Sequence, residues 1–272
     1  MTGKLASETT KKLLLNNILL VLAYLVFQTV GNFAANEYIM IPTNAEAALQ
    51  LIAIVLYALC IATIVLSLYK TFVVDLSSGK SYKYYSLPYK KSKIIFARAV
   101  PAIIIESVMV AILFGPEADY DLLCLFEKTS QGIVIRYDYL PSILVENTVR
   151  FTGLFILAVT IGFLILLAFV ISRSFDPSKT VRNLAIAVII EVLANGALYM
   201  IIENISSEFA MKYAYEAQKY PAWTAGEISK AVGLLAYYGI IIQAVVLLLL
   251  IIEMTCAVIA SKKLADKRFN VL

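Results

Sequence analysis

The chain has 272 residues, of which 61% are hydrophobic, 15% charged and none histidine. Soluble domains carry about 25% charged residues, so a single water-soluble core is excluded, and a mean hydropathy of +0.84 points the same way. The net charge of +4 gains meaning only from its distribution across a membrane. The missing histidine removes His-based zinc sites and Ser-His-Asp triads, and neither a metal site nor a catalytic residue is expected.

Six apolar runs reach the length of about 20 residues that crosses the hydrocarbon core. They predict an all-α, polytopic membrane protein with six transmembrane helices in one domain, residues 1–272. Lys4, Lys11 and Lys12 precede the first run, about 13–34. That run is longer than a signal-peptide core and lacks small residues at a cleavage site, so it reads as an uncleaved span. Residues 1–12 read as a cytoplasmic segment, with a short interfacial helix over 4–12.

Further spans are expected at about 47–69, 94–115, 151–171, 181–202 and 231–260. The last is about 45 Å long at 1.5 Å per residue, so it should tilt, protrude or break, most easily at Gly233 or Gly239. Two long polar segments, 116–150 and 203–230, separate spans. The first contains GIVIRYDYL, whose alternation suggests a strand or a packed lid. The second holds Tyr213, Tyr215, Tyr220 and Trp223, residues suited to an aromatic belt at a membrane interface. Cys60 and Cys256 fall in apolar runs and Cys124 in the first polar segment. With no paired spacing, no disulfide framework is implied, and Cys124 is the thiol expected to be exposed.

Orientation follows from lysine and arginine counts in the connecting segments. The two termini, residues 70–98 and residues 173–182 hold seventeen of the 23 cations, while the opposite segments hold twelve of the 19 acids. Both termini and the 70–93 loop are therefore expected in the cytoplasm, with 116–150 and 203–230 outside. The expected location is the prokaryotic plasma membrane, with lipid as the surrounding partner and no nucleic acid.

Ser78-Gly79-Lys80-Ser81 ends like a phosphate-binding loop, but the motif needs a glycine five residues before Gly79, where this chain has Val74. Any nucleotide chemistry must come from another subunit. The same loop runs through Asp75, Gly79, Tyr82, Tyr84, Tyr85, Leu87, Pro88, Lys90 and Lys91 to Arg98. Pro88 disfavours helix before it and can open a helix after it. Its tyrosines suit a protein groove, and its cations suit either such a partner or lipid headgroups.

The order DLSSGK, YYSLP, YKKSKIIFARAV between the second and third spans resembles the type-2 class of ATP-binding-cassette permeases. The acidic residue, Gly-containing turn, Leu-Pro, basic pair and helix cation of that class fall on Asp75, Gly79, Leu87, Pro88, Lys90, Lys91 and Arg98. The resemblance implies an exporter permease that pairs with an identical or different second permease. It also implies two cytoplasmic ATPase subunits that bind ATP and Mg, docked on the loop as a coupling helix. No cofactor is expected in this chain. Substrates in that class include peptides, lipids, lipid-linked glycans and drugs. The 116–150 segment is longer than that class leads one to expect.

Glu106, Glu191 and Glu253 interrupt apolar runs, each eight or nine residues from a cytoplasmic-side cation. That places them about 12–14 Å into the membrane, where a charge is costly unless paired or facing water. They form a candidate acidic vestibule for cationic or amphipathic peptides, with Asn195 one turn beyond Glu191 and Gln243 further out. Structural hydrogen bonding between helices is the competing reading. Pro101, early in the third span, is a candidate hinge. The resulting expectation is an ATP-driven exporter permease. An ATP-independent secondary transporter and a membrane-embedded lipid-modifying protein are the alternatives.

Overall fold

A computed structural model describes residues 2–35, 42–76, 90–114, 126–129, 132–135, 140–175, 181–186, 189–190, 193–194 and 225–268. Five helices among them are long and apolar enough to cross a membrane, which makes the chain a multi-pass helical membrane protein. In hydrocarbon every backbone N–H and C=O must be satisfied within the chain, and a helix does this segment by segment.

The helices are α1 (Thr2–Ala35), α2 (Thr43–Tyr69), α3 (Lys91–Phe114), α4 (Leu140–Phe175) and α5 (Ala225–Arg268). Strands β1 (Phe126–Thr129) and β2 (Gly132–Ile135) form an antiparallel hairpin between α3 and α4, pairing Phe126 with Ile135 and Thr129 with Gly132. The strand expected from GIVIRYDYL is thus present over its first four residues. Apart from this hairpin, the described elements are helical.

Several expected boundaries shift. The interfacial segment and the first span are one 34-residue helix, because nothing between Lys12 and Leu13 breaks helical hydrogen bonding. Helix α4 starts at Leu140, so the polar segment placed at 116–150 gives up its last eleven residues to the helix. Residues 70–75, expected in the cytoplasmic loop, continue α2 as a π-helix. Helix α5 runs unbroken for 44 residues through Gly233 and Gly239, about 66 Å at 1.5 Å per residue. It therefore protrudes beyond one hydrocarbon thickness rather than breaking. Within the expected fifth span, 181–186, 189–190 and 193–194 are helical, and the rest of it lies outside the described residues.

Helix α3 is the centre of the bundle. It packs on α1 and α2 on one side and on α4 and α5 on the other, and 56% of its apolar window is buried, against 17% for α2 and for α5. Small side chains at Ala99, Ala102, Ser107 and Ala111 are buried along it and let neighbouring backbones approach. Gly162 of α4 does the same from the other side, since a Cβ there would lie 2.5 Å from Ile103 Cγ2. One core gathers Ile95, Ile103, Phe163, Leu166 and Phe169 around Phe72, and a second joins Val21, Tyr24, Cys60, Ile64 and Met109. Leu51, Ile54, Leu248 and Ile252 point outward on α2 and α5, as lipid-facing side chains do.

Polar contacts also link the helices. Asp266 Oδ1 of α5 accepts the Ser92 backbone N–H at 3.2 Å, capping the first turn of α3 from a different helix. Thr160, fully buried on α4, donates to the Ile156 carbonyl of its own helix at 2.8 Å, with the Leu250 carbonyl of α5 at 3.4 Å.

Candidate functional site

The site is built where α1, α2 and α3 meet toward the basic loop. Helical periodicity puts Thr9, Leu13 and Asn17 of α1 on one stripe, each four residues apart. On α2 the same rule aligns Thr63 with Ser67 and Leu66 with Lys70. These residues, with Thr71, Asp75 and Arg98, line a cleft of about 330 Å3.

The π-helix Lys70–Asp75 decides what faces that cleft. In an α-helix a residue shares its face with those three and four positions on, which would bring Val74 round below Lys70. Winding from i to i+5 takes one more residue per turn, and Asp75 returns there instead. Leu76 N–H donates to the Thr71 carbonyl at 3.1 Å, which closes the wide turn. Val74 is left 38% exposed, while Asp75 Oδ2 meets Arg98 Nη1 of α3 at 3.2 Å. The pair is partly shielded, with side-chain exposures of 14% for Arg98 and 33% for Asp75.

Eight residues beyond Arg98, about 12 Å along α3, Glu106 is buried to 2% exposure. Its Oε1 accepts the Asn17 side-chain amide at 3.0 Å and the Ser67 hydroxyl. Three helices are thus tied through one carboxyl oxygen. Oε2 has no hydrogen-bond partner among the described residues. Because Asn17 and Ser67 also line the cleft, the carboxyl group sits directly behind the cleft wall.

The residues expected from the sequence fall in separate settings. Asp75 and Arg98 are brought together from the end of α2 and the start of α3. Glu106 is buried, with its partners on α1 and α2. Glu253 is exposed on α5, an environment unlike that of Glu106, so these two do not share a common acidic surface. No group of three acidic or cysteine side chains suited to a metal forms among the described residues. Glu191, Asn195, Gly79, Tyr82, Tyr84, Tyr85, Leu87 and Pro88 lie outside the described residues, and Gln243 is placed only as part of the α5 backbone. Lys90 precedes α3 and is exposed, and its carbonyl accepts the Lys93 N–H at 3.0 Å; Lys91 is the first residue of the helix. Pro101 lies inside α3, where it cannot donate to the Ala97 carbonyl.

Of the thiols, Cys60 is buried and Cys256 exposed. Cys256 faces outward from an apolar helix, contrary to the expectation that Cys124 alone would be exposed.

Sequence reasoning passed over Asn17, Ser67, Lys70 and Thr71. The available signal was that an intramembrane carboxyl group demands polar partners, and Asn17 and Ser67 are polar residues inside neighbouring apolar runs. What this arrangement can do chemically is bind a polar group. Lys70, Asp75 and Arg98 line the cleft, and a buried carboxyl group stands behind its wall. The chain matches no family model, no curated protein and no solved structure.

Proposed function

We propose that the chain is the membrane-spanning permease subunit of an ATP-driven exporter of amphipathic or cationic peptides. It works as a dimer of permeases powered by separate cytoplasmic ATPase subunits that supply ATP and Mg. The observation that carries this reading is the Asp75–Arg98 pair. It joins the last turn of the α2 rod to the second turn of α3, the two roots of the basic 77–89 loop. A subunit pushing on that loop moves both roots together, and the cleft between them and α1 opens or narrows. Arg98 and Glu106 share α3, so the motion reaches the carboxyl group directly.

The test begins with purification of the tagged chain from its native membrane. Co-purification of an ATPase with nucleotide-binding motifs is expected, together with ATP-dependent peptide export in vesicles. Asp75→Arg and Arg98→Asp should each uncouple ATP hydrolysis from export, and the double exchange should restore coupling. Failure of any ATPase to co-purify, together with transport that runs on a proton gradient without ATP, refutes the reading.

A second reading has its own observation. Oε2 of Glu106 has no hydrogen-bond partner among the described residues, as suits a carboxyl group that takes up and releases an ion. In that case the chain is a secondary transporter. Glu106→Gln then abolishes gradient-driven transport, and adding ATP changes nothing.

A further inference from the structure

The exporter reading leaves a second cavity unused, and its lining chemistry is different. About 540 Å3 in volume, it lies between α1 and α2 where the end of α3 closes against them. On α1, Gln28 stands eleven residues from Asn17, about 16 Å along the helix and away from Arg98. The two cavities therefore occupy opposite ends of the α1–α2 pair.

Three amides, Gln28, Asn32 and Gln50, and the rings of Tyr24, Tyr57 and Phe114 line the space, and among the described residues no lining side chain carries a charge. Helical spacing accounts for the convergence: Tyr24, Gln28 and Asn32 are four apart on α1, and Gln50 and Tyr57 are seven apart on α2. The rings form a connected wall. Tyr24 and Tyr57 have centroids 5.5 Å apart at 45°, and Tyr57 meets Phe114 edge-on at 5.8 Å. Beside the cavity, Ile54 and Phe114 are 65% and 52% exposed on the apolar outer surface of the bundle.

Each part of this lining narrows the ligand. Amides offer donors and acceptors together, which suits hydroxyl groups that both give and accept hydrogen bonds. The electron-rich faces of aromatic rings attract the slightly positive C–H edges of an apolar ring face. An anionic or cationic headgroup would find no counter-charge among the described lining residues. The volume falls in the usual range for small-ligand sites, and the neighbouring lipid-facing side chains provide a path for an acyl chain. We propose that this cavity binds the uncharged, polyhydroxylated headgroup of a membrane glycolipid, with its acyl chains lying against Ile54 and Phe114. The inference stands independently of the exporter reading.

Native mass spectrometry of the full chain, extracted in a detergent without a sugar headgroup, tests it. The probes are a monohexosyl diacylglycerol, the same diacylglycerol without sugar, and phosphatidylglycerol with the same chains. The hexosyl lipid should be retained about tenfold better than either of the others, the scale of one or two net hydrogen bonds. Gln28→Leu and Gln50→Leu should each weaken it about three- to tenfold. Gln50 is exposed, so Gln50→Leu keeps the fold even if the α1 variant does not. Gln50→Lys should lower retention of the hexosyl lipid while raising that of phosphatidylglycerol. Retention that follows the acyl chains alone, a preference for phosphatidylglycerol in the unaltered chain, or indifference to Gln50→Leu and Gln50→Lys overturns the proposal. Displacement by millimolar free glucose would overturn the lipid as the source of the sugar.

Discussion

Glu106 offers the sharpest quantitative test, because two donors from two helices converge on a single oxygen. Asn17→Ala and Ser67→Ala each remove one donor. Interhelical hydrogen bonds within bilayers contribute about 0.6 kcal/mol on average and up to about 1.7 kcal/mol, so each single variant should lose stability on that scale. Either loss leaves Oε1 with the remaining donor. Losing both leaves a 2%-exposed carboxyl group without either bond, and an unsatisfied buried polar group costs about 1–3 kcal/mol. The double variant should therefore exceed the sum of the singles by about 0.5–1 kcal/mol. In a Glu106→Met background the acceptor is gone and this excess should vanish. Loss of Asn17 packing contributes equally in both backgrounds and cancels. Unfolding by SDS in mixed micelles, followed by circular dichroism, measures all the variants. Additivity within about 0.3 kcal/mol, or the same excess in the Glu106→Met background, refutes the account of Glu106 as the tie between α1, α2 and α3.

Gly162→Ala should destabilise the α3–α4 contact by about 1–3 kcal/mol, the cost of overpacking. The new methyl meets the branched carbons of Ile103 at 2.5 to 3.3 Å, so Ile103→Ala, which alone should cost about 2–5 kcal/mol, should cost less in the Gly162→Ala background; the SDS titration reads both. Asp266→Ala removes the carboxylate that caps α3 from α5 and should cost about 0.5–2 kcal/mol, with amide exchange rising first at Ser92 and Lys93. Deleting Val73 removes the extra residue of the π turn and leaves Asp75 four positions after Lys70, where α-helical winding keeps it on the face of Arg98. A thiol placed at Thr71→Cys should then react with a soluble maleimide at an unchanged rate, whereas adding Asp75→Ala should speed labelling while global stability falls by no more than about 1 kcal/mol, as expected for a partly exposed ion pair. Faster labelling from the Val73 deletion alone would show that the π turn does not set the face that Asp75 presents.

The amino-acid sequence by itself determined that this is a multi-pass helical membrane protein. Apolar run length is set by bilayer thickness, and helices are the structure that satisfies a backbone in hydrocarbon. It also determined that Glu106 must be a special position, because the cost of an intramembrane carboxyl group is independent of the fold around it. The core role of α3 was less legible. All the spans are strongly apolar, and with lipid as apolar as protein, hydropathy does not distinguish a central helix from a peripheral one. Only tertiary packing showed that Ala99, Ala102 and Ala111 face neighbours while Leu51 and Ile252 face outward. Likewise, three acids at a similar depth looked equivalent along the chain. The rotation of each helix about its axis put Glu106 inside, against Asn17 and Ser67, and left Glu253 outside. The Asp75–Arg98 pair spans 23 positions in sequence and depends on one extra residue in the turn before Leu76. Local propensity carries no sign of that turn, because the contacts that hold it belong to a different helix.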